Sequence, residues 1–360
     1  MLFKIKDNGR ESQFELLRIV AMLMIVIHHV IYHGIPLCVN NCAFLNVKLS
    51  IAELSTLELF NCFTIYGVNI FILISGYYGI KLSVKNFLKL YLLVCFYNVI
   101  NLALMSFSGD TLYFINIIYA FMPYTHSHSW FVKDYFLLLL ISPILNVYAL
   151  QVGKKQLKNT IMIMIFFMCF LGFILKNEPF TIGYNIWQFV LLYFIGQFIG
   201  KYEMFNKRMS TYILYFMCFS ICLYLIVISS ISILSIRHSL IPMYLLSYSN
   251  PVIIFGSVFL FLTFDKINIK NAYVNKIASS MFSVYLIQEG SEMIFHKDVY
   301  KFISICYLHY SFISFVLFIL FYVLVLLVIS IILDTILKML IDYIVRFFTM
   351  ELNSLLNKPK

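Results

Sequence analysis

The chain has 360 residues, 62% hydrophobic and only 12% charged, so it carries more apolar side chain than a water-soluble domain could cover, and its solvent must be a bilayer. A formal charge of +10 would suit nucleic acid only if the basic residues formed one face with interleaved aromatics. Here each basic cluster caps an apolar run, which excludes a nucleic-acid partner.

Residues 1–13 read as a cytoplasmic N-terminal segment with Lys4, Lys6 and Arg10, and they lack the short apolar core and small-residue cleavage site of a removable signal. Targeting therefore falls to the first span. Apolar runs that suit membrane crossing follow at 14–33, 57–79, 88–107, 131–150, 160–175, 184–200, 211–235, 250–264, 277–296 and 311–333. The runs 160–175 and 250–264 are short and borrow flanking residues, while 113–122 is too short to span and reads as re-entrant or interfacial. With no long linker, low-complexity tract or internal repeat, residues 14–333 form one transmembrane domain. Residues 334–360 read as a cytoplasmic tail. Within it Asp334, Lys338, Asp342 and Arg346 recur every four residues, which suits either an amphipathic helix on the inner membrane surface or an extension of the tenth helix.

Placing the amino terminus in the cytoplasm puts nineteen Lys and Arg residues on that side and six on the other. Positive residues are retained on the cytoplasmic side during insertion, so this imbalance fixes the orientation. The expected fold is all-α: a polytopic protein of the cytoplasmic membrane with about ten transmembrane helices in one bundle and both termini cytoplasmic. Cys62, Cys95, Cys169, Cys218 and Cys222 fall in spans as small apolar fillers. Cys38, Cys42 and Cys306 fall on the outer side, where a Cys38 to Cys42 disulfide remains open, and no Cys and His spacing suggests a metal.

An ionisable side chain at bilayer depth costs a few kcal/mol and is a functional hypothesis by default. Arg18 and His29 in the first span are eleven residues apart, which at about 100° per residue brings them within roughly 20° of one another around the helix. Their axial separation of about 16 Å suits the two ends of an elongated ligand, whereas His28 points about 80° away. The alternative is that Arg18 snorkels to inner head groups while the histidines sit near the outer interface. All eight histidines fall toward the outer side in this topology, where proton transfer or a polar acceptor would then be concentrated.

Further along, Gly67 to Tyr77 sets Asn69 and the pair Ser75-Gly76 inside an apolar helix, and close helix packing would explain the small residues equally well. Residues 285–292 include Tyr285 and two carboxylates, Glu289 and Glu292, on one helix face. These carboxylates either belong to a site or mark the outer end of the span. Residues 123–134, with His126, His128, Trp130, Lys133 and Asp134, line an outer vestibule or form an ordinary interfacial aromatic belt.

Together these residues resemble the bacterial integral-membrane acyltransferases of acyltransferase family 3. Arg18, ten intervening positions and His29 are similar to its opening motif, and the stretch ending in Phe71-x-x-x-Ser75-Gly76-Tyr77 is similar to its second-helix motif. Trp130-Phe131 leading to Ser142-Pro143 and Asn146, then Tyr193 to Gly196, then Ser283 to Ile287, resemble later landmarks, so the likeness covers most of the chain. It departs at Asn69, where the family often has Asp, at Lys85 and Lys89, where it has a pair of arginines, and at Gln288, where it has His.

The resemblance implies transfer of an acyl group, usually acetyl, from a cytoplasmic coenzyme A thioester to a hydroxyl of a cell-surface polysaccharide or its lipid-linked precursor. Acetyl-CoA is then a donor substrate, with no permanently bound cofactor, and the partners are membrane lipid and the glycan or lipid-linked oligosaccharide acceptor. His29 is expected as general base or acyl carrier, and Arg18 as the group that holds the donor, joined by Lys85 and Lys89. Asn69, Ser75, Trp130, Tyr285 and Glu289 are expected around the acceptor. The competing reading is a non-enzymatic exporter or flippase of a polysaccharide intermediate, although transporters more often show inverted repeats with paired broken helices. The sequence carries no sign of oligomeric state.

Overall fold

The computed structural model describes residues 11–34, 51–107, 111, 113–122, 129–180, 182–202, 207–233, 244–290, 310 and 312–356. Every regular element among them is helical: α1 (Ser12–Gly34), α2 (Ile51–Thr64), α3 (Gly67–Tyr78), α4 (Val84–Phe107), α5 (Phe114–Ala120), α6 (Trp130–Gln151) and α7 (Lys154–Ile165), which continues as a widened π-type stretch Phe166–Ile174. Then come α8 (Ile186–Lys201), α9 (Met209–Ile233), α10 (Pro251–Asp265), α11 (Ala272–Ala278), α12 (Met281–Gly290) and α13 (Phe312–Leu356). Each expected apolar run falls largely on helix, with turns at 65–66 and 279–280, and residues 234–235, 291–296 and 311 of the runs lie outside the described residues. Among the described residues, seven helical stretches are long and apolar enough to cross a bilayer alone, namely Ser12–Ile31, Ser55–Tyr78, Val84–Leu104, Trp130–Gln151, Lys154–Ile174, Met209–Ile231 and Ile313–Phe348. The shorter apolar helices are α8 and α10.

The short helices are the buried ones. From Gln188 to Phe198 every residue of α8 is buried, and its backbone meets protein rather than lipid. Gly76 and Gly196 make this packing close: a Cβ on Gly76 would lie 2.2 Å from the carbonyl oxygen of Tyr193, and one on Gly196 would lie 2.3 Å from that of Leu73. The Ser-Gly pair of α3 is thus a close-packing device in the bilayer sense. Asn146 locks the inner end. Its side chain donates to the Ile80 carbonyl (2.8 Å) and accepts from Tyr193 (2.7 Å) and Gln197 (2.6 Å), while Tyr193 accepts from the Ile80 amide (2.7 Å).

Pro143 lies inside α6 and cannot donate to the carbonyl of Leu139, and the buried hydroxyl of Ser142 donates there instead at 2.8 Å. The segment 113–122 runs back alongside α4: Asn98 donates to the Ala120 carbonyl (3.1 Å) and Tyr91, nearer the start of α4, donates to that of Phe121 (2.6 Å). After the tenth run there is no separate surface helix. α13 continues unbroken for 45 residues, about 68 Å at 1.5 Å per residue and more than twice the hydrocarbon thickness, because no Gly or Pro interrupts it and Asp334 is buried against the bundle.

Candidate active site

His29 lies near the end of α1, and the short helix α12 packs beside it. The imidazole Nδ1 stands 3.6 Å from Oε2 of Glu289, and Gln288 donates to the Val26 carbonyl at 3.4 Å, tying the two helices at the same level. The two side chains are only 15% and 17% exposed, so the attraction between them is weakly screened. A separation of 3.6 Å is an ion-pair distance rather than a hydrogen bond, and such contacts commonly tighten when substrate binds. With Nδ1 turned toward the carboxylate, Nε2 occupies the opposite edge of the ring. The ring of His28 lies 6.2 Å from that of His29 and is tilted by 52°.

Next to this pair is an aromatic wall. The hydroxyls of Ser129 and Tyr285 are hydrogen-bonded, and Ser129 also accepts from the Val132 amide at 3.4 Å to cap α6. Trp130 follows immediately. Its ring centroid is 4.5 Å from Tyr184, 5.6 Å from Tyr248 and 5.8 Å from Phe189, and Tyr184 is 5.1 Å from Tyr248. The loops before α8 and α10 are joined here because Gln188 donates to the Tyr248 carbonyl (2.8 Å) and the Ser249 amide donates to that of Ile182 (3.4 Å). Gly183, with φ +83°, permits the contact, since a Cβ there would meet the Ser249 amide nitrogen at 2.7 Å. The Tyr248 hydroxyl is raised well above its ordinary value by burial, then by Tyr184 and Glu289. Both phenol hydroxyls lie near Glu289 and can donate hydrogen bonds.

The end of α1 remote from His29 has different chemistry. One guanidinium nitrogen of Arg18 donates to both oxygens of the buried Glu15, at 2.9 and 3.1 Å. Tyr78 donates to Glu11 at 3.1 Å, and Phe14 packs among Tyr77, Tyr78 and Phe261. Lys85 is exposed, and Lys89 is ion-paired to Asp342 of α13 at 2.5 Å. Between the two ends lie Asn69 and Ser75. Ser75 donates to the Phe71 carbonyl (2.9 Å), with its hydroxyl 3.5 Å from that of Tyr135. Asn69 is fully buried, and neither atom of its amide has a hydrogen-bond partner among the described residues.

The structure thus gathers His29, Glu289, Tyr285 and Trp130 at one level and sets Arg18, Lys85 and Lys89 toward the other end, with Asn69 and Ser75 between. His126, His128, Glu292 and the thiols of Cys38, Cys42 and Cys306 lie outside the described residues. Sequence reasoning passed over Glu15, Glu58, Tyr184 and Tyr248. Glu58 is 2% exposed on α2, with Asn61 donating to it at 3.4 Å, and as a carboxylate within an apolar run it satisfied the same rule that singles out Arg18. Glu15, three residues before Arg18, carried a helix-pair signal. Tyr184 and Tyr248 carried none, because two loops distant in sequence bring them together.

The sequence profile of the acyltransferase 3 family, described as an acyltransferase domain, matches residues 11–335, a span that contains Arg18, His29, Glu289 and the aromatic wall. No curated protein and no solved structure matches the chain. A match over most of the chain, on an all-helical membrane architecture, places this protein in acyltransferase family 3 as a multi-pass membrane acyltransferase.

Proposed function

We propose that the chain is an O-acyltransferase of the cytoplasmic membrane that moves an acetyl group from acetyl-CoA to a hydroxyl of a cell-surface polysaccharide or its lipid-linked precursor. The observation that carries this reading is the shielded pair of His29 and Glu289 beside an aromatic wall. The acceptor oxygen attacks the thioester carbonyl carbon while His29 Nε2 takes the hydroxyl proton. Glu289 stabilises the imidazolium that forms. The carbon–sulfur bond then breaks, the thiolate recovers the proton from His29, and the products are an acetyl ester and the coenzyme A thiol. Trp130, Tyr184 and Tyr248 offer the apolar faces and neutral hydroxyls that suit a sugar, and Asn69 offers an amide.

Arg18 would hold the anionic or polar part of the donor at the inner end. Glu15 uses one of its nitrogens, which leaves the rest of the guanidinium fork for a second ligand. The same orientation makes both termini cytoplasmic. Supporting this, Ser12 at the start of α1 exchanges hydrogen bonds with Asn271 before α11, and Lys338 of α13 donates to the Ser279 carbonyl just after α11.

The test is H29A, with O-acetyl content of the surface glycan and the amount of glycan exported measured in the same cells. Loss of acetylation by at least about a hundredfold with normal export is expected, the scale of removing a general base. Normal acetylation with reduced export would instead support the exporter reading.

A further inference from the structure

The carboxylate of Asp334 is fully buried where α13 passes the first turn of α12. Ser280, just before the helix, donates to Oδ2 at 2.6 Å, and Ser283 in its first turn donates to Oδ1 at 2.5 Å. The Lys338 ammonium lies 2.5 Å from Oδ2 and donates to the Ser279 carbonyl at 2.8 Å. Thus a buried anion has two hydroxyls, one ammonium and the positive end of a helix around it. A buried carboxylate is costly unless this satisfied, so the positions of its partners are tightly specified.

The two serines lie at the start of the helix that carries Tyr285, Gln288 and Glu289, whereas Lys338 is on α13 with Asp334. α12 has only ten residues, and its described anchors include Asp334 at its start, Ser129 hydrogen-bonded to Tyr285, Asn101 of α4 donating to the Leu286 carbonyl at 3.2 Å, and Gln288 reaching Val26 of α1. Ser283 and Glu289 are six residues apart, about 9 Å along the axis, with no helix break between them. Any axial slip or rotation at the first turn is therefore passed directly to the carboxylate facing His29, where the 3.6 Å separation leaves little tolerance.

We infer that Asp334 is a positioning residue for acyl transfer: by fixing the first turn of α12 against α13, it sets the register at which Glu289 meets His29. The inference rests on the reading of that pair given above. It assigns a role in the reaction to a helix that touches neither His29 nor the aromatic wall through Asp334 itself. Lys338 is 41% exposed and reaches solvent, so neutralising Asp334 does not bury an unpaired ammonium.

The experiment compares D334N, the double variant S280A/S283A, E289Q and E289Q/D334N in membrane vesicles from cells that make the acceptor glycan. Coenzyme A thiol release is followed as acetyl-CoA is varied, with melting temperature in detergent measured for each variant. D334N is expected to lower kcat about 10- to 100-fold, the scale of misplacing a reacting group, with KM for acetyl-CoA within about twofold of wild type. S280A/S283A should lower kcat in the same direction while melting close to wild type, and it decides the matter if D334N does not fold. Because Asp334 acts through Glu289, E289Q/D334N should match E289Q within about twofold rather than multiply the two losses. Wild-type kcat in D334N or in the folded serine variant, or fully multiplicative losses, would overturn the inference. Wild-type kcat in E289Q would overturn it together with the pairing on which it rests, whereas an impaired E289Q with an unimpaired D334N removes Asp334 alone.

Discussion

His29 and Asn69 are both polar groups within apolar helices, but their surroundings differ. His29 has an acidic partner on another helix, whereas the Asn69 amide is buried without a hydrogen-bond partner among the described residues. Gly76 lies seven residues beyond Asn69, within about 20° of the same direction, and it contacts the backbone of α8. Asn69 is thereby directed toward the first turns of α8, where Phe189 stacks near Trp130. An unpaired buried amide costs about 1–3 kcal/mol, so N69L, which keeps the branched shape with somewhat larger terminal groups, should raise the melting temperature in detergent. If the amide serves the acceptor, the same variant should lose glycan O-acetylation severalfold. Stabilisation with full O-acetylation would remove Asn69 from the acceptor site.

The helix pair α3 and α8 is the central packing element of the bundle. Neither helix could approach so closely with side chains at the crossing, because the facing positions are carbonyl oxygens of rigid backbone. Overpacking at such a contact costs about 1–3 kcal/mol and sometimes more, so G76A and G196A should each lower the melting temperature and reduce the folded fraction extracted from membranes. Wild-type melting in either variant would mean that the helices can separate without loss. By contrast, Gly153 has open space around its Cβ position, and G153A serves as the matched control with near-wild-type melting.

At the scale of the molecule, α13 runs beside α12 and α4 and continues past the bilayer depth, carrying Asp334, Lys338 and Asp342. The pair Lys89 and Asp342 is about 40% exposed and is therefore worth at most about 1 kcal/mol, less at high salt. It fixes register rather than stability. If both termini are cytoplasmic, a fluorescent reporter fused after Lys360 should fold and emit while an alkaline phosphatase fused at the same position stays inactive. The reverse result would invert the topology and place His29 near the cytoplasm.

The sequence alone determined membrane class, helical fold and the positions of the apolar runs, because hydropathy and helical period are local properties, while Arg18, His29, Trp130 and Tyr285 stood out as landmarks through the family resemblance. Which charges are partnered was decided only in three dimensions. Glu289 could be read as the outer end of a span until α12 was seen beside α1. Lys89 is ion-paired to Asp342, which lies far along the chain on α13. Likewise Tyr184 and Tyr248 share a wall only because two loops fold together around Gly183. Pairings of this kind depend on how helices distant in sequence pack, and no periodicity within one helix encodes the identity of its neighbour.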